Sequence, residues 1–185
     1  MKKVLFIVMA LCMASYVNAQ VYVGGGISFN RVTEGDNKST AFMIGPEVGY
    51  KINDRWAVGL ALGYSKIKNS TEVEGMESDM KQSRFTINPY ARFTFAKIDR
   101  VGLFVDGGVN YSHIDSSGSY DMNGWAVGLR PGISLAVNDK FSLVAHVGFL
   151  GYRTQKADYA NAVSSNNFAV EIDGSDLSFS VYYNF

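Results

Sequence analysis

The sequence predicts an all-β protein, an eight-stranded antiparallel up-and-down β-barrel that spans a membrane. Large apolar residues recur at every second position in eight segments, which is typical of strands with one apolar face. The connections between these segments alternate between short turns and longer polar loops. The aromatic residues of the alternating series gather near the segment ends, while the middles are mostly Val, Leu, Ile and Ala. Two aromatic girdles around an aliphatic band indicate a membrane barrel.

The first 19 residues have the pattern of a secretory signal peptide. Lys2 and Lys3 precede an apolar run, and Val17-Asn18-Ala19 places small residues where a signal peptidase reads. The run is shorter than the roughly 20 apolar residues that a spanning helix needs. We therefore predict a signal peptide over residues 1–19 and a single barrel domain over residues 20–185.

Composition excludes several classes of protein. Without Lys2 and Lys3, 15 basic and 17 acidic residues remain, so net charge gives no electrostatic case for nucleic acid binding. The only cysteine, Cys12, lies in the predicted signal, so we expect neither a disulfide nor a thiolate metal site after it. Cys12 leaves a lipoprotein signal as an alternative, although Leu11 before it is larger than such cleavage sites prefer. We expect no cofactor and no metal.

The eight predicted strands follow one another along the remaining chain. Successive side chains of a strand point to opposite faces, so each segment has one apolar face. The alternating apolar series occupy residues 21–29, 42–50, 56–64, 85–95, 101–111, 125–137, 141–149 and 177–185.

The connections predict two different rims. Residues 52–54, 97–100 and 138–140 are short and turn-like, whereas longer polar loops are predicted at 33–40, 66–83, 113–123 and 153–173. Short turns at one rim and long loops at the other are typical of outer-membrane barrels, with the short turns in the periplasm. Within 66–83 there is little Gly or Pro beyond Gly75, so the third and fourth strands are expected to continue above the membrane and turn there.

The second face of the strands favours a membrane barrel over a soluble one such as a lipocalin. On the third segment this face is small and uncharged, which suits the narrow interior of an eight-stranded barrel. The positions of the aromatic residues along the strands also favour a membrane barrel, because they fall near the two rims. The loop-side girdle is predicted to hold Phe29, Phe42, Tyr64, Phe85, Tyr111, Trp125 and Phe149, and the turn-side girdle Tyr50, Trp56, Phe95, Phe141, Tyr183 and Phe185.

Eight strands, long outer loops and the ending Val181-x-Tyr183-x-Phe185 resemble the small outer-membrane β-barrel proteins of the OmpA/OmpX type in Gram-negative bacteria. The resemblance implies an integral outer-membrane protein with both termini in the periplasm and long loops outside. It also implies that Val181, Tyr183 and Phe185 act as a signal for the barrel-assembly machinery. The chain lacks the carboxy-terminal peptidoglycan-binding domain of OmpA, so that role is not expected.

A cluster of charged residues is predicted inside the barrel. Folding the hairpins on their turns places Arg92 near Asp106, Asp106 opposite Arg130, Glu47 within reach of Arg92, and His146 near Gly132. Buried charges are tolerated mainly when paired, so the main interpretation is an ionic plug that fills the lumen; a gate or a narrow ion path is the alternative. The charged side chains with the inward parity are Glu47, Lys51, Arg84, Arg92, Asp106 and Arg130, with His146 beside them.

An enzyme is a remote alternative, because some small outer-membrane barrels remodel lipid A. His113, Asp115 and Ser116, just above the fifth strand, offer a base, a carboxylate and a hydroxyl. Ser and Asp are also ordinary loop residues, and closeness in sequence does not make a relay. We therefore predict no catalytic residues.

The sequence and the resemblance together favour a non-enzymatic surface protein. From the resemblance we expect a role in envelope integrity, adhesion, or resistance to stress or host defence, with the outer loops as the working parts. A narrow porin-like channel through the lumen is the alternative. The expected partners are outer-membrane lipid and lipopolysaccharide, periplasmic chaperones and the assembly machinery during biogenesis, and a host or surface ligand at the loops. We expect a monomer.

Overall fold

The structure is a computed structural model that describes residues 20–34, 37–73, 76–117, 120–158, 164–171 and 178–185. The predicted signal peptide lies outside these residues, as does Leu177, the first residue of the eighth predicted strand. In the part of the chain described, no helix is long and apolar enough to cross a membrane.

The described residues form antiparallel strands, and each strand pairs with its neighbour in the chain along most of the sheet. The ladder between β1 and β2 runs from Val21 to Glu34 on the first strand. The strands are β1 (Val21–Glu34), β2 (Asn37–Lys51), β3 (Trp56–Val73), β4 (Met76–Ile98), β5 (Val101–Ser116), β6 (Met122–Ala136), β7 (Phe141–His146), β8 (Phe149–Ala157), β9 (Ser165–Glu171) and β10 (Ser178–Asn184).

These ten segments make a closed barrel of eight strands. Both β7 and β8 pair with the same edge of β6, so they are two halves of the seventh barrel strand. On the far side, β9 pairs with β8 and β10 pairs with β7, and together they are the two halves of the eighth. The barrel closes where Tyr22–Gly25 of β1 pair with Val181–Asn184 of β10. This confirms the predicted fold.

A bulge in the seventh strand reverses its alternation. Between two ladder positions, Arg130 and Pro131 of β6 face three residues, 147–149, of the opposite strand. Gly148 has a φ of 75°, a left-handed conformation that glycine adopts without steric cost. One extra residue turns the following side chains to the other face. Phe149 therefore lines the lumen, and its predicted place in the outward aromatic girdle is wrong.

The strands are longer at the loop-side rim than the sequence predicts. The β3–β4 ladder continues to the pair Val73 and Met76, which agrees with the expected continuation of these two strands through 66–83. The β1–β2 ladder also extends, to Glu34 and Asn37, and so shortens the loop predicted at 33–40. In the loop predicted at 153–173, strand pairing of β8 with β9 occupies much of the described chain. A strand ladder satisfies backbone groups that a loop would leave to water.

The two faces of the barrel differ as alternation predicts. Apolar side chains of the outer face remain exposed, as expected of a surface that meets lipid rather than a protein core. The inner face instead buries aromatic rings against glycines of the neighbouring strand. A Cβ at Gly49 would overlap the ring of Tyr22, and one at Gly59 would overlap the ring of Tyr90. The small residues of the lumen are therefore the space into which these rings pack.

Candidate functional site

The candidate site is a cluster of charged and aromatic side chains at mid-height in the lumen. Its centre is Asp106 of β5, which faces Arg92 of β4 across the strand ladder. Arg92 donates from Nε to Oδ1 of Asp106 at 2.7 Å and from Nη2 to Oδ2 at 2.8 Å. His146 of β7 lies 2.8 Å from Oδ2 through Nε2, and that nitrogen donates because a carboxylate only accepts. All three residues are less than a tenth exposed.

Glu47 of β2 is held by tyrosine hydroxyl groups. Tyr182 donates to Glu47 Oε1 at 2.6 Å, and Tyr90 donates to the same oxygen. Tyr22 lies 2.6 Å from the Tyr90 hydroxyl, oxygen to oxygen, and extends the chain of hydrogen bonds. Arg92 Nη2 lies 3.8 Å from Glu47 Oε1, so the expected approach of these two charges occurs.

Aromatic rings enclose the Arg92 guanidinium. Its carbon lies 4.0 Å from the centroid of the Phe104 ring, a cation–π contact. The edge of Phe104 in turn meets the His146 ring, with centroids 5.3 Å apart and planes at 83°. These rings help to bury the ion pair of Arg92 and Asp106, and the low local dielectric constant strengthens its electrostatic attraction.

Arg130 is the residue of the predicted cluster that the structure places apart. Its Cα is opposite Asp106, as expected from the hairpin. Arg92 and His146 make three hydrogen bonds to that carboxylate, and the expected ion pair between Asp106 and Arg130 does not form among the described residues. Arg130 instead donates from Nη2 to Ser178 Oγ at 3.4 Å.

The cluster divides the lumen into two vestibules. A cavity of about 350 Å³ opens on the side of the short turns, and one of about 410 Å³ opens on the side of the long loops. The two share no lining residue, and between them lies a cavity of about 40 Å³ bordered by Glu47, Tyr90, Asp106 and His146. This geometry is that of a plug: it leaves room for a few waters at mid-height.

Sequence reasoning missed the aromatic half of the cluster. Tyr22, Tyr90, Phe104 and Tyr182 all have the inward parity and are all buried. The available signal was pairing with glycine, because each ring lies over a glycine of the adjacent strand. Those glycines are Gly49, Gly59, Gly132 and Gly24, in the same order.

A second group of polar residues lies at the loop-side end of β5. His113 Nδ1 lies 2.8 Å from Asn123 Oδ1, and its Nε2 lies 3.1 Å from Asp115 Oδ1. The hydrogen bond to Asn123, and then the charge of Asp115, raise the pKa of His113. One ligand atom from each of His113, Asp115 and Asp121 lies within 4.8 Å of the others, so these three are the described residues that could share a divalent cation.

The arrangement at His113 is not that of a nucleophile and its base. Alternation along β5 sends Ser116 to the face opposite His113. Its hydroxyl is 3.3 Å from Gln82 Nε2, the donor, on the neighbouring strand. The structure therefore brings His113 and Asp115 together but does not bring Ser116 to them.

The predicted assembly residues lie on the outer face of β10. Val181 is half exposed, and Tyr183 packs edge-on against Phe141 of β7, with centroids 5.3 Å apart. Phe185 packs against Tyr183 and donates its backbone N–H to Val21 O at 3.1 Å. The aromatic pair is thus tied to both strands beside the barrel seam.

Comparison with known proteins agrees with this architecture. A family model described as "outer membrane protein beta-barrel domain" matches residues 4–185. Outer membrane protein W of E. coli is similar at 15% identity, with 90% of this chain and 98% of that one covered and a TM-score of 0.53. OprG of Pseudomonas aeruginosa is similar at 12% identity, with 90% and 93% covered and a TM-score of 0.50. At these identities the likeness is one of fold. No curated protein matches the sequence.

Proposed function

Because this chain belongs to the outer-membrane β-barrel family, we propose that it is a non-enzymatic surface protein whose loop-side hairpins are its working parts. We place both termini in the periplasm and the long loops outside the cell, the orientation usual for barrels with short turns at one rim. The role is envelope integrity, adhesion, or resistance to stress or host defence. The observation that carries this proposal is the combination of a plugged lumen with strands that continue past the barrel.

The β3–β4 hairpin offers a strand edge at the loop-side rim. The β4–β5 ladder ends at Gln82 and Ser116, and Ser117 adds a hydrogen bond from its N–H to Lys81 O. Beyond that point β4 continues to Met76, paired with β3. In the described chain, no ladder partner covers the other edge of β4 there. Such an edge can pair with a strand of another protein through its backbone groups.

The experiment replaces residues 66–83 with a short turn and compares this variant with wild type in cells that lack the protein. We expect the truncated barrel to reach the outer membrane but to lose adhesion to surfaces and survival in serum or detergent. A Glu47→Ala variant, altered only in the lumen, serves as the control and should retain these properties. Full function of the truncated protein, with loss of function in Glu47→Ala, would contradict the proposal.

A narrow channel is the second candidate, favoured by the two vestibules on either side of the plug. Ions would pass only if the cluster around Arg92 and Asp106 rearranged. Planar-bilayer recording on wild type and Glu47→Ala tests this, since Glu47 anchors two of the tyrosines of the plug. An absence of conductance steps in both proteins would remove this candidate.

Catalysis at the loop-side rim has no support in the arrangement of His113 and Ser116. Mass spectrometry of lipid A from cells with wild type or His113→Ala tests the non-enzymatic assignment. We expect identical profiles. A species that depends on His113 would overturn the assignment.

The expected partners follow from the same location. We propose that the outer face meets lipid and lipopolysaccharide, and that the loop side holds the site for a host or surface ligand. Val181, Tyr183 and Phe185 would be read by the assembly machinery, delivered there by periplasmic chaperones. With every barrel strand paired to a neighbour, we propose that the protein works as a monomer.

A further inference from the structure

The loop-side vestibule is lined by basic side chains. Its cavity of about 410 Å³ is lined by Arg84, Arg130 and Arg153, and no Asp or Glu is among its lining residues. A cavity of this volume lies within the range of about 300 to 1,000 Å³ that is common for small-molecule sites. The guanidinium groups of Arg84 and Arg130 in this open cavity attract anions, because low-dielectric walls focus their field.

The described residues supply no counter-charge to Arg84 or Arg130. Among the described residues, no carboxylate lies within 4.0 Å of either guanidinium, and Arg130 has Ser178 Oγ as its hydrogen-bond acceptor. The nearby lumenal acids are already engaged. Asp106 accepts from Arg92 and His146, and Glu47 accepts from tyrosines. An anion entering the vestibule would therefore meet two guanidinium groups whose planar donors suit phosphate and carboxylate oxygens.

The side-chain amide of Asn88 lies at the floor of the same cavity. The amide oxygen of Asn88 is buried without a partner, and Asn88 lines both the vestibule and the small cavity below it. An unmade hydrogen bond at a buried acceptor costs free energy. A ligand hydroxyl would recover it once a rotation of the Asn88 amide turned the oxygen toward the cavity. Thr86, Asn110 and Ser112 add further polar groups to the wall. The site thus offers cations for an acidic group and an acceptor for a hydroxyl.

We propose that the loop-side vestibule binds a small organic anion that carries hydroxyl groups, of the sugar phosphate or sugar acid class. Arg84 and Arg130 hold the anionic group, and Asn88 accepts a hydrogen bond from a hydroxyl. Phe149 forms an apolar part of the wall, where Arg153 lies 4.2 Å over its ring centroid. The bulge at Gly148 is what turns Phe149 into this space.

The other vestibule provides a matched control. Lys97 lines the turn-side cavity, on the far side of the plug from Arg84. Replacing Lys97 with Gln removes the same unit of charge as replacing Arg84 or Arg130 with Gln. A difference in ligand binding between these variants therefore reflects the position of the removed charge and not the change in net charge.

The test uses the purified protein in lipid nanodiscs and titration calorimetry with glucose 6-phosphate, glucose and inorganic phosphate. We expect saturable binding of glucose 6-phosphate that weakens with added salt, weaker binding of phosphate, and none of glucose. Arg84→Gln and Arg130→Gln should each weaken glucose 6-phosphate binding about tenfold, as loss of one charge-assisted hydrogen bond implies, while Lys97→Gln stays within about twofold.

The Asn88→Ala variant tests the hydroxyl contact, and it should bind glucose 6-phosphate no better than wild type binds phosphate. Far-ultraviolet circular dichroism and the heat-dependent gel shift confirm that each variant is folded. No saturable binding of either anion would overturn the proposal, as would equal losses in Arg84→Gln and Lys97→Gln. Unchanged selectivity in Asn88→Ala would overturn the assignment of hydroxyl recognition. None of these results depends on what the hairpins bind.

Discussion

At the scale of single residues, Asp106 organises the lumen. Its carboxylate accepts hydrogen bonds from both Arg92 and His146. The Arg92 guanidinium also lies over the ring of Phe104. Removal of one member of a buried ion pair leaves an uncompensated charge, which typically costs about 3 to 5 kcal/mol. The cluster therefore has large consequences for stability, whether or not it takes part in function.

Asp106→Ala is expected to lower the free energy of unfolding by about 3 to 5 kcal/mol, because the Arg92 guanidinium would remain buried without its partner. Urea titration of the refolded protein in lipid vesicles measures this change. Asp139→Ala, at an exposed position in a turn, is the control and should change stability by less than about 0.5 kcal/mol. Equal effects of the two substitutions would show that Asp106 is not a buried partner.

At the scale of the elements, glycines determine how side chains pack inside the barrel. Several of the inward glycines make room for a ring from the next strand. Gly148 acts through its backbone instead, because its positive φ allows the extra residue that reverses the alternation of β8. The segment 141–149 alternates in sequence without a break, so the reversal left no pattern for sequence reasoning to detect. The same bulge turns the side chains of Phe149 and Arg153 toward the lumen.

Gly148→Ala is expected to destabilise the barrel by about 1 to 2 kcal/mol, since a Cβ is disfavoured at this φ. Gly107→Ala is the matched control: Gly107 has an ordinary φ, and its added Cβ would lie 3.4 Å from Leu129 Cδ2. That substitution should be close to neutral. The shift in urea midpoint between the two variants measures the difference, and a neutral Gly148→Ala would argue against a left-handed residue at the bulge.

At the scale of the whole molecule, the barrel depends on its seam. The described ladder between β1 and β10 has four residue pairs, far fewer than the ladder between β1 and β2. Beside this short ladder, Tyr183 packs between Phe141 of β7 and Phe185, and the Phe185 N–H donates to Val21 O of β1. Closure removes the edges that an open sheet would expose to lipid.

Closure predicts a specific cross-link. Val23 and Tyr183 are direct ladder partners, so the double substitution Val23→Cys and Tyr183→Cys should form a disulfide under mild oxidation of the refolded protein. Val23→Cys with Phe141→Cys is the control, because Phe141 lies one strand further around the barrel. A shift in gel mobility that reverses with reductant reports the bond. Cross-linking of the control pair alone would contradict the seam.

The class of fold could be predicted from the sequence alone, because alternation with a period of two is a local pattern that can be recognised without knowing which strands are neighbours. It also placed Arg92 beside Asp106 and His146 beside Gly132, since hairpins with short turns have a calculable register. The partner of each charged side chain, in contrast, became clear only from the folded structure. Asp106 pairs with Arg92 and His146, while Arg130, opposite it on β6, lines the loop-side vestibule instead. Such a choice depends on side-chain packing between strands far apart in sequence, which no local pattern records.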